Sequence, residues 1–384
     1  MKSHLRNFVR VAHLWLGLAG GLFICLMGLT GGVVALRPQI AAFLSPPAPR
    51  VAACESSPDW DRAARDVTAL THSEINRVYG PYSSDTRWQF RMTTATPAIY
   101  RHIIYDACSG KVLGSIDLAW MDWTVDLHHN LLAGHTGRRW AGAIGIVMLV
   151  SGLTGLLVWL TAKPNLATAF RISLRFSAAT PRQLHRAAGI AAAVLLGLEA
   201  FTGLWLCFPQ TMRGVLAAVA PVSGEKRPPV RGQHAAGRAG LGDLMKAARA
   251  ALPDGSVREI RMPEGNGNVQ VRMWRPGDFR SLGNNVVFLS SANAGVLAVD
   301  RYSEKLAGNR VIQAMAGLHY DEWGGLPFRV VSAAAGFATP LLFLTGVLMW
   351  WNSRRRKPAS AARARTAEPV EMAAPPVLQK VRTL

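Results

Sequence analysis

Four histidines occupy matching positions in two related halves of this chain. His128 begins a stretch that recurs without a gap at His319, and His13 begins another that recurs at His185. Imidazole suits iron and is a common axial ligand of haem. A repeat that keeps a histidine at the same edge each time predicts pairs of ligands that face each other across a pseudo-two-fold axis.

The repeat also preserves small and polar residues at fixed distances from these histidines. The matching positions are Gly17 with Gly189, Thr30-Gly31 with Thr202-Gly203, Gly134 with Gly325, Arg138 with Arg329, and Thr154-Gly155 with Thr345-Gly346. Gly17 and Gly189 each follow their histidine by one helical turn and share its face. A face with so little bulk would let a flat macrocycle lie against the backbone, although small residues also allow close helix packing in lipid.

The elements that must position the histidines are four apolar runs. These runs cover 11–36, 140–160, 185–208 and 330–351. A membrane-spanning helix needs about 20 residues, so each run is long enough to cross a bilayer. His13 and His185 open the first and third runs, whereas His128 and His319 precede the second and fourth. We therefore expect one bis-histidine site near each edge of the membrane. The sequence has no Cys-x-x-Cys-His motif for covalent attachment, so the expected cofactors are two haem b groups.

Charge predicts the orientation of the spans. The chain carries a net charge of +20, and residues 1–10, 162–186 and 352–384 hold much of the excess. Residues 37–139, in contrast, are nearly balanced between basic and acidic side chains. The positive-inside rule places both termini in the cytoplasm, which predicts a multi-pass protein of the bacterial inner membrane. The basic residues flank spans, where they attract anionic lipid, and are not interleaved with stacking aromatics, so nucleic acid is not an expected partner.

This orientation divides the chain into successive segments. They are 1–36, the cytoplasmic N-terminus and first span; 37–139, a first periplasmic unit; 140–161, the second span; 162–184, a cytoplasmic basic loop; 185–208, the third span; 209–329, a second periplasmic unit; 330–351, the fourth span; and 352–384, a disordered basic tail. The tail is rich in Ala, Pro and Arg without apolar periodicity, which is the reason for predicting disorder there.

The two periplasmic units share one order of elements. Each begins with a helix, at 59–70 and 241–252, and continues with strand-like runs. The runs are 75–79, 87–92, 100–105 and 111–116 in the first unit, and 257–261, 268–274, 285–289 and 295–299 in the second. The expected fold class is membrane α-helical, with four spans in two parallel pseudo-symmetric repeats and two small α+β units. Each unit is short for an independent core, so it should pack against its twin or the membrane helices.

Two further residues bear on the sites. Glu199 is the only acidic residue deep inside a span, and such groups usually serve a function or face the bundle interior. It matches Met27 in the first half, so it departs from the repeat. A proton-transfer or haem-propionate role stands beside the alternative of a partly hydrated position near the periplasmic end. His129 could replace His128 as a ligand, since a helical turn or a bulge would exchange the two.

The remaining histidines and the cysteines have simpler readings. Histidines in polar stretches without a repeat partner are expected at the surface; they are His4, His72, His102 and His234. Cys25 and Cys207 lie inside spans and are expected to be inert. Cys54 and Cys108 both lie in the first periplasmic unit, an oxidising location. We predict a disulfide bond between them, the alternative being two buried thiols.

The residues around the four histidines resemble the PepSY-associated transmembrane helix family of bacterial inner-membrane proteins. The resemblance rests on His13-x-x-x-Gly17, Leu184-His185-x-x-x-Gly189, Leu318-His319, and Leu127-His128 followed by Leu131-Leu132, Gly134 and Gly137-Arg138. It covers residues 1–357. The two periplasmic units, with turns at Ser109-Gly110 and Ala294-Gly295, are similar to PepSY domains.

Within that family, the length and layout are most similar to the di-haem ferric-siderophore reductases, such as those serving ferrioxamine uptake. The resemblance implies a haem-dependent oxidoreductase that carries electrons across the membrane and reduces a ferric siderophore in the periplasm. Gly265-x-Gly267 lies between strands and opens no helix, so it is not a dinucleotide fingerprint. The electron donor is therefore expected to be a quinol, a flavoprotein or a small reductant.

Two other functions stay open at the level of sequence. The first is a haem b membrane anchor that passes electrons to a partner oxidoreductase. The second is a non-catalytic PepSY membrane protein with a regulatory or binding role. An absorption spectrum separates the second from the rest, because a protein without haem has no Soret band.

Overall fold

The computed structural model describes residues 3–47, 58–81, 86–96, 99–162, 165–173, 177, 179–224, 228, 238–263 and 267–366. These residues form the helices α1 (Ser3–Ala35), α2 (Arg37–Leu44), α3 (Trp60–Thr71), α4 (Ala119–Asn130), α5 (Gly134–Leu160), α6 (Leu166–Ala169), α7 (Thr180–Cys207), α8 (Pro209–Ala217), α9 (Leu241–Ala251), α10 (Ala307–His319) and α11 (Gly325–Thr366). A short 3-10 helix covers Tyr302–Glu304.

Four long helices form a bundle in which α1 and α7 each pack against both α5 and α11. Stretches of all four are apolar and long enough to cross a membrane. These stretches are His4–Ala35, Gly134–Leu160, Thr180–Cys207 and Gly325–Arg355. A helix satisfies its backbone hydrogen bonds internally, which a bilayer requires of any segment that crosses it. The prediction of a multi-pass membrane protein with four spanning helices is confirmed.

The second and fourth spans begin earlier than their apolar runs indicated. Their helices α5 and α11 start at Gly134 and Gly325, with φ of 55° and 58°. Glycine adopts this left-handed conformation at little cost, so the chain can turn sharply from α4 into α5 and from α10 into α11. Pro327 does not prevent the start of α11, because the N–H groups of a first helical turn have no partner within the helix.

The predicted tail is partly helical. α11 continues through Thr366, so the expectation of disorder from 352 onward was wrong for 352–366. Alanine and arginine are strong helix formers, and their abundance here extends the helix beyond the apolar stretch. Residues 367–384 lie outside the described residues.

The strands form one antiparallel sheet. They are β1 (Ile75–Tyr79), β2 (Arg87–Met92), β3 (Arg101–Asp106), β4 (Lys111–Ile116), β5 (Ser256–Arg261), β6 (Asn268–Trp274), β7 (Asn285–Ser290) and β8 (Val296–Asp300). The order across the sheet is β4-β3-β2-β1-β5-β6-β7-β8. The two segments join where β1 pairs with β5, with Val78 opposite Ile260. Each predicted strand agrees with these bounds to within about one residue.

The sheet lies between a helical layer and the end of the bundle. Apolar side chains on one face pack with α3 and α9; they include Val78, Phe90, Ile103, Ile260, Val271 and Val287. Burying one such side chain contributes about 1.5–3 kcal/mol. On the other face Ile104 and Ile116 pack with Val33 of α1 and Ile40 of α2. The helices α4 and α10, which end near His128 and His319, therefore lie at the junction of sheet and bundle.

Candidate functional site

One histidine pair lies in the bundle away from the sheet, and we call it the sheet-distal pair. His13 of α1 and His185 of α7 have ring centroids 6.1 Å apart, with ring planes at 76°. His13 Nδ1 lies 3.0 Å from the carbonyl oxygen of Ser151, and His185 Nδ1 lies 2.9 Å from that of Leu342. Each ring is thus fixed by a helix other than its own, α5 for His13 and α11 for His185.

The second pair lies beside the sheet and is called the sheet-proximal pair. His128 of α4 and His319 of α10 have ring centroids 6.2 Å apart, with ring planes at 26°. His319 Nδ1 lies 3.1 Å from the carbonyl oxygen of Glu199, and His128 is hydrogen-bonded to the backbone of Met27. The four predicted ligands therefore come together as the two pairs that the repeat indicated.

Every one of these rings rests on a Thr-Gly step of a neighbouring spanning helix. The steps are Thr154-Gly155 beside His13, Thr345-Gly346 beside His185, Thr30-Gly31 beside His128, and Thr202-Gly203 beside His319. A Cβ on Gly155 would lie 2.8 Å from His13 Cε1, and one on Gly31 would lie 3.0 Å from His128 Cε1. Glycine is needed there for the ring to approach the helix. The sequence identified these repeated steps, and Gly31 was expected on a face of little bulk with Gly17, Gly20 and Gly28, but the contact of each step with a histidine ring was not predicted.

The hydrogen bonds also determine which ring nitrogen is free. A carbonyl oxygen only accepts, so the Nδ1 atom facing it must carry the proton. Nε2 then keeps its lone pair and can bind a metal, and the bond at Nδ1 orients the ring. Burial lowers the pKa of His128 to about 3, and the charges of His319 and His129 add to the shift. His128 is therefore a neutral imidazole, the form that ligates metals.

The spacing of both pairs suits two ligands on one metal ion. Metal–imidazole bonds are about 2.0–2.1 Å long, and each nitrogen lies about 1 Å from its ring centre, so two opposed ligands have centroids about 6 Å apart. The observed separations are 6.1 and 6.2 Å. Within the described ranges, no three His, Cys, Asp or Glu side chains come together as an all-protein metal site would need. Two histidines alone suit a metal whose other ligands come from a macrocycle.

A cavity of about 500 Å³ adjoins the sheet-proximal pair. His128 and His319 both line it, and seven of its other lining residues are glycines; these glycines are Gly28, Gly31, Gly32, Gly142, Gly145, Gly203 and Gly336. The volume falls within the range of about 300–1,000 Å³ that is usual for small-molecule and cofactor sites. The cavity therefore has room for a group of cofactor size between the helices.

Arginines and carboxylates line the same cavity. Arg138 and Arg329, which the repeat matches, both face it, as does Arg37. Guanidinium groups pair well with carboxylates, so they could hold the propionates of a haem. Asp321 also lies there and accepts a hydrogen bond of 2.7 Å from Ser332 Oγ. Burial raises the pKa of Asp321 to about 7, and the charge of Glu199 contributes to the increase.

Glu199 touches one of the predicted ligands. Its Oε2 lies 3.3 Å from His319 Nδ1, and its Oε1 is buried without a hydrogen-bond partner among the described residues. Met27, its counterpart in the first half, also lines the cavity but offers no carboxylate. The two sides of the sheet-proximal pair therefore differ in charge, as the departure from the repeat indicated.

His129 lies next to the pair rather than in it. Its ring centroid is 6.0 Å from that of His128, and it lines the cavity. Burial lowers the pKa of His129 to about 4, with further lowering from His319 and Arg138. The 6.2 Å separation of the His128 and His319 ring centroids and the contact of His128 with the Thr30-Gly31 step favour His128 as the ligand, and that choice stays a prediction.

The glycines near the sheet-distal pair fall into two groups. A Cβ on Gly17 would meet nothing within 4 Å, and one on Gly189 would meet Leu342 Cδ2 at 3.6 Å. These two predicted positions leave space beside the ligands. Gly20 instead abuts Val147, and Gly28 abuts Thr339, as glycines in closely packed membrane helices do.

Of the histidines expected at the surface, one was placed wrongly. His4 and His72 are exposed, and His234 lies outside the described residues. His102 is fully buried; its Nε2 lies 3.0 Å from Asp122 Oδ2 and its Nδ1 lies 2.6 Å from Gln89 Nε2. Strand alternation points His102 toward the bundle, where Asp122 supplies a polar partner.

The cysteines divide between thiols and a disulfide. Cys25 and Cys207 are free thiols. Thiols in apolar surroundings stay protonated and unreactive, so neither is a candidate for chemistry. Cys108, in the turn between β3 and β4, is disulfide-bonded. Cys54, its expected partner, lies outside the described residues, so the pairing of Cys54 with Cys108 stays a prediction.

These features define a class of protein: a multi-pass membrane protein with a histidine-bearing helical bundle joined to an antiparallel sheet. The chain belongs to the family described as the PepSY-associated TM region, which matches residues 10–353. Comparison with curated proteins gave no match. The family expected from the sequence is thus confirmed.

Proposed function

We propose that this protein is a di-haem electron-transfer protein of the bacterial inner membrane that reduces a ferric siderophore in the periplasm. The observation that carries the proposal is the pair of bis-histidine sites, each with ring centroids about 6 Å apart. All four imidazoles have Nδ1 in hydrogen-bond contact, and among the described residues no hydrogen bond engages Nε2. Membership of the PepSY-associated TM family supports the membrane setting.

Each histidine pair would hold one haem b. His13 and His185 would supply the axial ligands of the sheet-distal site, and His128 and His319 those of the sheet-proximal site. Haem in these sites would supply one-electron redox chemistry. The surrounding residues would orient the imidazoles through Nδ1, which influences the reduction potential of a bound metal.

Charge supports the orientation of the molecule. Residues 1–10 and 162–186 carry basic side chains without acids, which favours a cytoplasmic location for them and for both termini. The sheet then lies in the periplasm, and the sheet-proximal pair lies nearest to a periplasmic substrate. Lipid surrounds the apolar helices, and the electron donor on the cytoplasmic side would be a quinol, a flavoprotein or a small reductant.

The reaction at the substrate is a one-electron reduction of Fe(III) to Fe(II). Hard oxygen donors bind Fe(III) far better than Fe(II), so reduction loosens the metal without breaking any bond in the chelator. The enzyme, a haem-dependent ferric-siderophore reductase, needs no nucleophile or general base for this step. It needs a docking surface within electron-transfer reach of the sheet-proximal site.

Purified protein tests the proposal directly. We expect the spectrum of low-spin b-type haem, with two haems per chain by extraction, and oxidation of the reduced protein by a ferric siderophore. Absence of haem would refute the proposal in favour of a regulatory or binding role. Haem without oxidation by any ferric chelate would instead favour an anchor that serves a partner oxidoreductase.

A further inference from the structure

The centre of the sheet carries a cluster of arginines on the face that looks toward the bundle. Val78 and Ile260 point to α3 and α9, so strand alternation turns their neighbours Arg77 and Arg261 to the opposite face. These two arginines are directly opposite each other where β1 pairs with β5. Arg91 on β2 is opposite Arg77, which extends the cluster into the first unit.

A single carboxylate, that of Glu259, forms ion pairs with three of these arginines. Glu259 Oε1 lies 3.0 Å from Arg77 Nη1 and 3.5 Å from Arg261 Nη2, while Oε2 lies 3.2 Å from Arg272 Nε. Glu259 is nearly buried, whereas the side chains of Arg77, Arg261 and Arg272 are 26%, 37% and 25% exposed. Three cations thus share one anion and remain accessible. We call Arg77, Arg91, Arg261 and Arg272 the arginine cluster.

Some guanidinium N–H donors of the arginine cluster have no acceptor among the described residues. Arg77 Nε and Arg261 Nε are buried and have no hydrogen-bond acceptor among the described residues, an arrangement that costs free energy in the absence of a ligand. Arg91 bonds to Asn76 and stacks 3.8 Å from the Tyr100 ring centre, both neutral groups. Crowding also acts on Arg91: burial lowers the pKa of its guanidinium, and the charge of Arg77 lowers it further.

Charged residues lie between the arginine cluster and the cavity beside the sheet-proximal histidines. Arg272 lies within the electrostatic range of Arg280 and Glu322, which pair at 2.5 Å, and Glu322 lines the cavity. Arg91 lies within the electrostatic range of Asp122, which pairs at 2.8 Å with Arg37 of the cavity wall. The arginine cluster is therefore close to the sheet side of the cavity.

We propose that the arginine cluster binds the anionic groups of the ferric chelate, so that the substrate is a carboxylate- or catecholate-bearing chelate. The guanidinium fork matches a carboxylate or catecholate oxygen pair, and an unbalanced, half-buried group of cations attracts such ligands. A linear hydroxamate chelate such as ferrioxamine lacks that negative charge. This inference rests on the proposed function and narrows its substrate class.

Binding of gallium chelates to the full-length protein tests the inference separately from reduction, because Ga(III) is not reduced. We expect gallium citrate and a gallium tris-catecholate to bind by calorimetry, and a neutral gallium trihydroxamate to bind about tenfold or more weakly. Binding of the anionic chelates should weaken as salt is raised. If wild-type protein prefers the trihydroxamate, or binds citrate without salt dependence, the inference is wrong whatever the protein reduces.

Variants locate the site. Arg77→Gln with Arg261→Gln should weaken gallium citrate binding about tenfold or more, since charge-assisted hydrogen bonds are lost. Arg275→Gln is the matched control, because Arg275 pairs with Asp254 at the end of β6, outside the arginine cluster. The Soret spectrum should be the same in all three proteins.

Loss of haem from a folded double variant would assign these arginines to a haem propionate and overturn the inference. If that variant does not fold, Arg77→Lys, which keeps the charge but not the fork, should bind citrate more weakly than wild type; unchanged binding would count against the site.

Discussion

Each predicted ligand depends on a residue of a different helix. A His ring packs on a Thr-Gly step, and its Nδ1 is held by the carbonyl three residues before the threonine, as with Ser151 and Thr154 for His13. This arrangement fixes the tautomer and the ring position together. The glycine of the step therefore helps to set the ring position, most tightly at Gly155 beside His13.

Substitution of that glycine gives a sharp residue-level prediction. Gly155→Ala places a methyl group 2.8 Å from His13 Cε1, so the ring must move and the sheet-distal site should lose haem. Gly152→Ala, one turn earlier on α5, meets nothing within 4 Å and should retain both haems. Haem extracted per chain is the measurement. Equal haem content in the two variants would show that the packing does not govern ligation.

The two sites should also be separable through their ligands. His13→Ala should remove the sheet-distal haem and leave the sheet-proximal haem. His128→Ala should do the reverse, because a haem with only one axial imidazole is bound weakly. Redox titration of each variant should then show a single remaining centre. His129→Ala is the control for the second case and should keep both. Loss of haem from His129→Ala but not from His128→Ala would identify His129 as the ligand.

Glu199 predicts a difference between the two sites. Its carboxylate lies 3.3 Å from His319 Nδ1, and a carboxylate there raises ligand basicity and favours the ferric state. Glu199→Gln should raise the sheet-proximal midpoint potential by about 59 mV, a tenfold change for one electron, while the sheet-distal potential stays unchanged. Spectroelectrochemical titration measures both. A change confined to the sheet-distal potential would contradict the assignment of the site.

At the scale of elements, sequence periodicity was sufficient for the strands, and apolar length identified the four spans, although α5 and α11 begin earlier than predicted. The alternation in Arg87–Met92 and Asn268–Trp274 gave bounds that the structure reproduces, because one face of each strand is buried. Periodicity could not predict that β1 pairs with β5. That pairing joins the edge strands of two units that are far apart in the sequence. The burial of His102 was missed for the same reason, since its partner Asp122 lies on α4.

For the candidate site, the sequence predicted the residues but not the contacts between them. The four histidines were identified because they recur at matching positions in the two halves. The Thr-Gly steps recur in the same way, but their contacts with the rings join different helices and could not be predicted from the repeat. Glu199 was recognised by its apolar surroundings, whereas its contact with His319 required the geometry of α7 against α10.

Cys108 gives a prediction about the first unit. It occupies the turn between β3 and β4 and is disulfide-bonded. We expect Cys54 to be its partner, with a contribution of about 2–4 kcal/mol to stability. Alkylation without reduction, followed by peptide mass analysis, should leave both residues unmodified. A modified Cys54 would exclude the pairing, and Cys25→Ala should leave the thermal stability of the sheet unaffected as a control.

At the scale of the whole molecule, aromatic and basic side chains mark the two ends of the bundle. Arg354 and Arg355 lie 4.9 Å from the ring centres of Trp350 and Trp351 at the end of the apolar part of α11. Trp120 and Trp123 are exposed on α4 at the sheet end. Tryptophan favours membrane–water interfaces on both sides, so the aromatics are consistent with a bilayer around the apolar helices, and the proposed orientation rests on the excess of arginine alone.

Thiol labelling tests that orientation. Lys111 is exposed on β4, and Arg355 is exposed at the last position of the fourth spanning stretch, so Lys111→Cys and Arg355→Cys probe opposite ends of the bundle. In intact cells whose outer membrane has been permeabilised, an impermeant maleimide should label Lys111→Cys and spare Arg355→Cys until the inner membrane is opened. The parent protein, whose free cysteines Cys25 and Cys207 lie within spans, gives the background. The reverse labelling pattern would place the sheet and the arginine cluster in the cytoplasm. Periplasmic reduction would then be impossible at the sheet-proximal site, even if both haems were present.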